Sequence, residues 1–228
     1  MSKLYIPSKG PKSWKEFLAD PEKQWSTGYS ARSMVYCWEE ANGFPKSILA
    51  VFQSSDIEIF KHTEIILGIP EHKVSLPGRG FSSQNDLFVL ARSGDELISI
   101  AVEGKVSERF DNCTVEEWLK DGSYNKHERI KGLTKIIGLT VEEIMPIRYQ
   151  LIHRTASALL EANRFCTHHA LMMVHSFSQS HEWFDDYAAF AQLYGVKQNP
   201  NELSAAKKIN GIFLYLTWVT GEAEYLEK

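Results

Sequence analysis

The chain has 228 residues, of which 43% are hydrophobic and 12% aromatic, and its formal net charge is −4. A chain of this size can bury one substantial core, so we expect a single domain over 1–228, with an N-terminal arm (1–30) and a core over about 31–220. The negative charge excludes a protein that coats nucleic acid nonspecifically, because phosphate neutralisation supplies most of that affinity.

The sequence also bears on membrane insertion, secretion and the redox state of its cysteines. No run of eighteen apolar residues occurs, so no transmembrane helix is predicted. Residues 1–7 lack the apolar run of a secretory signal. The cysteines Cys37, Cys113 and Cys166 are odd in number and lack CxxC spacing, which is typical of reduced thiols. We therefore expect a soluble, cytoplasmic protein with no membrane partner.

Helical and strand patterns alternate along the chain. A short helix is predicted near 14–19 and a longer one over 30–41, which ends at Asn42-Gly43. Thr114 and Glu117 have the spacing of a capping box. The remaining predicted elements are a helix from Pro45, an ambiguous strand and connection over 57–77, a hairpin over 86–106, helices over 127–137, 147–162 and 183–194, and strands over 170–174 and 212–219. This interleaving favours an α/β fold, with a mixed central sheet flanked by helices.

The hairpin carries the most specific pattern in the sequence. Gly94-Asp95 suits a two-residue turn with glycine first. Counting outward from that turn places Leu87 opposite Val102 and Asp86 opposite Glu103. Side chains alternate between the two faces of a strand, so one face is wholly apolar and the other carries the charges. A slip of one residue would bury those charges, and the register is therefore well specified.

Two carboxylates held opposite each other need a positive charge between them. Paired side chains on neighbouring strands lie roughly 5 Å apart at Cβ, where Asp86 and Glu103 repel. A hard divalent ion such as Mg²⁺ takes oxygen ligands and needs few carboxylates. Lys105 lies on the same face as Glu103 and is placed to stabilise negative charge or orient a water. The alternative is a surface ion-pair network at a strand end.

These residues resemble the motif of the PD-(D/E)xK nuclease superfamily, in which an Asp on one strand of a hairpin precedes Glu-x-Lys on the next. Asn85-Asp86 stands where the motif has Pro-Asp, and Glu103-Gly104-Lys105 supplies the second half. The missing proline removes one point of specificity. The resemblance extends in element order from about residue 31 to 174, and it implies a restriction-endonuclease-like fold.

The resemblance also implies roles for particular residues. Asp86 and Glu103, with the Gly104 carbonyl, would bind Mg²⁺ or Mn²⁺, and Lys105 would activate water. Members often carry a Glu on the first core helix, a position that Glu40 or Glu39 would fill. Some carry a Gln on the later helix with a Tyr four residues on. Gln150 matches the Gln, but Arg154 stands in place of the Tyr.

The substrate implied by the resemblance is DNA rather than RNA, held through its phosphates by Arg79, Arg148 and Arg154. A homodimer is compatible with this family. Two alternatives stay open at the level of sequence. One is a non-catalytic binding or interaction protein that keeps the fold, and the other is an unrelated α+β domain with a chance motif.

Overall fold

The structure, a computed structural model, describes residues 8–18 and 20–228. These residues form one six-stranded open sheet with strand order β1-β2-β3-β4-β6-β5. Strands β1, β2 and β3 form an antiparallel meander, β4 is parallel to both β3 and β6, and β5 is antiparallel to β6. The strands are β1 (Glu64–Val74), β2 (Ser83–Ser93), β3 (Glu96–Lys105), β4 (His169–Ser176), β5 (Lys207–Ile209) and β6 (Ile212–Thr220).

Helices cover both faces of this sheet, and the predicted mixed α/β architecture is confirmed. Short 3₁₀ turns occupy Lys15–Phe17 and Ala223–Leu226. The helices are α1 (Pro11–Trp14), α2 (Pro21–Gln24), α3 (Ser30–Ala41), α4 (Lys46–Ser54), α5 (Glu58–Lys61), α6 (Val115–Leu119), α7 (Tyr124–Ile137), α8 (Val141–Ile144), α9 (Tyr149–Arg164) and α10 (Phe184–Gln192).

Each face of the sheet has its own hydrophobic core. Helices α3 and α4 pack on one face around Met34 and Phe52, and α7, α9 and α10 pack on the other around Leu133 and Trp218. Both cores share the central strands β3 and β4, because successive residues of a strand point to opposite faces. Within the described ranges, no helix has both the length and the hydropathy needed to cross a membrane.

The predicted hairpin is confirmed from its turn as far as Leu87 and Val102, and the predicted pair of Asp86 with Glu103 lies beyond the last paired residues. Gly94 has φ 59°, a conformation that glycine adopts without strain, and it opens the turn. From the turn outward, the pairs run from Ser93–Glu96 to Leu87–Val102, as the sequence predicts. The predicted apolar face is fully buried against α3 and α4: Leu87, Val89, Ala91, Ile98, Ile100 and Val102.

Several predicted elements differ at their ends. The ambiguous stretch 57–77 contains both α5 and the long edge strand β1. The N-terminal helix begins at Pro11 rather than near Trp14; residues 1–7 and 19 of the predicted arm lie outside the described residues. Helix α9 begins two residues later than predicted, because the Ile147 N–H still bonds to Ile144 O in the preceding turn.

Candidate functional site

The far end of the hairpin brings Asp86, Glu103 and Lys105 together. The Gly104 N–H donates to Asp86 Oδ2 at 2.7 Å, so the Asp86 side chain reaches across to strand β3. Lys105 Nζ donates to Glu103 Oε1 at 2.7 Å, and both side chains are about 95% buried. Nζ also lies 5.2 Å from the centre of the Phe110 ring, which fixes the ammonium from a second side. The acidic and basic groups predicted from the hairpin therefore form one cluster.

Helix α9 adds two side chains to this cluster. Gln150 Nε2 donates to Glu103 Oε1 at 2.8 Å, and Arg154 Nε donates to Glu103 Oε2. Residues four apart lie on one face of a helix, which is why both reach the same carboxylate. Arg154 Nη1 also donates a hydrogen bond to Ser83 Oγ at 2.9 Å. Gln150 therefore lies beside Glu103 of the motif, where the resemblance places it. Arg154 is only 7% exposed and binds Glu103, so it is not free to hold a backbone phosphate as predicted.

Glu71 is a third carboxylate of the site that the sequence did not identify. It lies on β1 between the pairs Pro70–Leu87 and His72–Asn85, which places it opposite Asp86. Its φ of 51° is left-handed, a strained conformation for a residue with a Cβ. Gln84 Nε2 donates to Glu71 Oε2 at 2.7 Å. No sequence signal found Glu71, because its placement depends on a β1 register that the ambiguous stretch 57–77 did not reveal.

Burial and the closeness of these carboxylates give the three groups very different pKa values. Burial and the nearby Glu103 raise the pKa of Asp86 to about 7, although Arg154 and Lys105 oppose the rise. Burial and Asp86 raise the pKa of Glu71 to about 8. Burial also disfavours the Glu103 anion, but Arg154 and Lys105 outweigh it and hold its pKa down to about 2. Glu103 is thus ionised at neutral pH, while Asp86 and Glu71 retain protons or need a further cation.

The donor set partly fits a hard divalent cation. Oxygen ligands are what Mg²⁺ and Mn²⁺ prefer, and Asp86 and Glu71 each use one carboxylate oxygen in a hydrogen bond. Glu103, however, has both oxygens engaged by protein donors. Among the described residues, Glu71, Asp86 and Glu103 do not form a trio whose ligand atoms all lie within 4.8 Å. A cation shared with Glu103 would therefore compete with Arg154 and Lys105 for its oxygens.

A different trio meets that distance on the opposite face of the sheet: Cys37, His175 and Glu222. Trp38 Nε1 donates to His175 Nδ1 at 3.2 Å, so the neutral ring carries its hydrogen on Nε2. Burial lowers the pKa of His175 to about 4, and burial with Glu222 raises the pKa of the Cys37 thiol. The neutral imidazole is the form that binds a metal, but the Cys37 thiol would have to lose its proton before this trio could bind one.

Glu40 and Glu39 have partners outside the carboxylate cluster. Helix α3 meets the site through Met34, whose Sδ lies near Gly104, and Glu40 is six residues, roughly 9 Å, further along that helix. Glu40 pairs with Lys228 at 3.2 Å. Glu39 accepts from the indole N–H of Trp14 at 2.5 Å. The predicted role for either residue fails because the helix presents a different turn to the motif.

The two other predicted phosphate contacts have different surroundings. Arg148 Nε donates to Asp186 Oδ2 at 3.0 Å, which ties the start of α9 to α10 and already neutralises this arginine. Arg79 is exposed and lies in the loop before β2, where it lines a cavity beside the site. Of the three arginines, Arg79 alone keeps an environment compatible with a phosphate contact.

A family model described as a domain of unknown function, DUF6946, matches residues 7–223. The chain belongs to this family. No curated protein and no solved structure matches it. The family description carries no activity, so the function has to be argued from the site itself.

Proposed function

We propose that the chain is a metal-dependent nuclease of the PD-(D/E)xK type with a restriction-endonuclease-like fold, which hydrolyses phosphodiester bonds in DNA rather than RNA. The observation that carries the proposal is the meeting of Asp86, Glu103 and Lys105 at one end of the β2–β3 hairpin, beneath Gln150 of α9. The order of elements supports it: helix α3, the motif hairpin, helix α9 and then β4, parallel to β3.

The chain's own residues would divide the work as follows. Asp86 and Glu103 would hold Mg²⁺ or Mn²⁺ with the Gly104 carbonyl, and Glu71 is a third candidate ligand. The bound ion would supply Lewis-acid activation of a water and of the phosphoryl oxygen. Lys105 is oriented by Glu103 and the Phe110 ring, so its ammonium would orient the attacking water and stabilise negative charge. Gln150 would keep Glu103 in place.

One contact favours a second candidate, a non-catalytic binding or interaction protein with the same fold. Arg154 and Lys105 already neutralise Glu103 without any metal. If that ion pair persists with metal present, the carboxylates serve stability rather than chemistry. The two candidates therefore differ in whether the cluster takes up a divalent cation.

Calorimetric titration with Mn²⁺ at pH 8 separates the two candidates. Under the nuclease proposal the wild type binds Mn²⁺, Asp86→Asn loses that binding, and Asp95→Asn keeps it. Asp95 is a suitable control because it is exposed in the hairpin turn, away from the cluster. Absence of binding by the wild type, or equal binding by all three proteins, refutes the metal site.

A plasmid-nicking assay tests the chemistry. We expect Mg²⁺-dependent nicking by the wild type, at least about 100-fold slower nicking by Lys105→Ala, and unchanged nicking by Lys207→Ala, because one positioned group commonly supplies such a factor. Lys207 lies exposed on the far edge strand β5. Asp86→Asn provides a second inactive variant if Lys105→Ala fails to fold. Equal nicking by the wild type and Asp86→Asn would identify a contaminating nuclease.

A further inference from the structure

A cavity of about 460 Å³ adjoins the carboxylate cluster. It lies between the loop of residues 75–82, helix α7 and the start of α9. Ser83 and His153 line it, with Ser83 Oγ 2.8 Å from His153 Nδ1. The same hydroxyl accepts from Arg154, which binds Glu103. The cavity is thus joined to the proposed catalytic carboxylate by two consecutive hydrogen bonds.

The charge of the cavity wall is wholly positive. Its charged members are Arg79, Lys126 and Arg129, and none of the described residues that line it is Asp or Glu. Lys126 is paired with Asp121 outside the cavity at 2.7 Å. Arg129 has no carboxylate partner in the part of the chain that the structure describes, although only 5% of it is exposed. A buried guanidinium without a counter-ion is costly, so this wall is suited to an anion.

Arg129 is held in a fixed position beneath the 75–82 loop. Its Nη1 donates to Phe81 O at 2.6 Å, and its Nε is buried without a hydrogen-bond partner. Gly80 approaches it so closely that a Cβ there would lie 2.8 Å from Nη2. Glycine at this position, with φ 130°, lets the loop close over the guanidinium. The cation is therefore preorganised by the protein rather than by a ligand.

An aromatic ring stands at the mouth of this cavity. Phe81 is 94% exposed, the most exposed large hydrophobic residue among those described. The Trp118 ring, which also lines the cavity, already has contacts on its faces. It stacks on the Tyr149 ring with 4.3 Å between ring centres, and Lys126 Nζ lies 4.9 Å from its centre. Phe81 is thus the free stacking surface. Exposed aromatic rings beside cations are how proteins hold single-stranded bases.

We infer that the cavity receives one unpaired nucleotide of the substrate strand, with its phosphate on Arg129 and Arg79 and its base against Phe81. The inference rests on the proposed function for the identity of the ligand as a nucleic acid, and it adds the substrate class. Cavities of 300–1,000 Å³ hold ligands of nucleotide size, so about 460 Å³ is sufficient. The nucleotide has to be unpaired because bases inside a duplex have both faces covered by their neighbours.

Fluorescence anisotropy with a labelled single-stranded oligonucleotide, in EDTA, tests this inference. We expect Phe81→Ala to raise the Kd about 5- to 150-fold, the effect of losing one base-stacking contact. Phe17→Ala, at a second exposed ring (53%) that lines a different cavity, is expected to leave the Kd unchanged. A duplex of the same sequence is expected to bind more weakly and to be insensitive to Phe81→Ala. Equal binding by Phe81→Ala and the wild type overturns the inference.

The salt dependence of the same binding reports on the phosphate contact. Arg79→Ala is expected to reduce the slope of log K against log salt by about 0.7, the value for one phosphate on a single strand. Arg92→Ala is the matched control, because Arg92 is exposed at the opposite end of β2 and pairs only with Glu64 among the described residues. An unchanged slope in Arg79→Ala contradicts the assignment of the phosphate.

EDTA makes the outcome independent of the nuclease proposal. Phe81-dependent binding without metal-dependent nicking would overturn the nuclease proposal and keep the cavity as a single-strand site. Metal-dependent nicking of DNA, with binding that does not depend on Phe81, would overturn this inference and leave the nuclease proposal intact.

Discussion

Arg154 and Glu103 form a buried ion pair that joins helix α9 to strand β3 at the centre of the site. Each side chain is more than 90% buried, and Lys105 adds a second cation to the same carboxylate. Glu103 is consequently the one carboxylate of the cluster whose charge is fully compensated by the protein. Asp86 and Glu71 lack such compensation, and burial together with the neighbouring carboxylates raises their pKa values.

Removal of Arg154 should be strongly destabilising. Arg154→Met leaves Glu103 in a buried position with one cation fewer, and breaking a buried pair in this way typically costs about 3–5 kcal/mol. The exposed pair of Arg92 with Glu64 provides the control, and Arg92→Met should change the free energy of unfolding by less than about 1 kcal/mol. Urea unfolding at pH 7 measures both. Similar small losses in the two variants would show that the Arg154 pair is not buried in solution.

The stability advantage of Asp86→Asn should grow with pH. Because the folded state raises the pKa of Asp86 from 3.8 to about 7, this group favours folding below pH 4 and loses that contribution as pH rises to about 7. Asparagine never ionises and still accepts from Gly104. Asp86 is partly exposed, so we expect a relative gain of about 1–2 kcal/mol between pH 4 and pH 8, less than its full shift would give. Thermal unfolding of Asp86→Asn and Asp95→Asn at pH 4 and pH 8 measures this relative gain. A stability difference between the two variants that is the same at both pH values would contradict the prediction.

Glycine should be better tolerated than alanine at Glu71. Both substitutions remove the carboxylate, but only glycine adopts a φ of 51° without steric cost. We therefore expect Glu71→Gly to be more stable than Glu71→Ala by about 1 kcal/mol in chemical denaturation. At Glu64, which has no positive φ, the same two substitutions should rank in the opposite order. An alanine variant as stable as the glycine variant would mean that Glu71 is not left-handed in solution.

Gly104 should resist even the smallest side chain. A Cβ at this position would lie 3.0 Å from Met34 Sδ and 3.3 Å from Asp86 Oδ2, so Gly104→Ala forces α3 or the Asp86 carboxylate to move. We expect a loss of about 1–3 kcal/mol, as for other overpacked cores. Gly68→Ala is the control, because its nearest contact would be an ordinary 3.5 Å to Leu87 Cδ1. Urea unfolding distinguishes the two, and equal stability would contradict the close packing at Gly104.

The features that sequence analysis predicted correctly are those encoded over short distances. The turn at Gly94-Asp95 fixes the pairing of the hairpin, and the alternation of apolar and charged residues fixes its faces. The capping box of Thr114 with Glu117 likewise forms as predicted. In each case the interacting residues are close in the chain, so local geometry leaves few alternatives.

The surroundings of the hairpin depend on residues that are distant in sequence. Glu71 reaches the site only because β1 pairs with β2 in a particular register, and Arg154 binds Glu103 because of the way α9 packs on β3. Glu40 was the expected helical carboxylate, but the packing of α3 presents Met34 instead. The sequence by itself thus determined which charged residues share the hairpin. Only the tertiary structure decided which of them are neutralised, because a buried charge is set by every element packed against it and not by its neighbours in the chain.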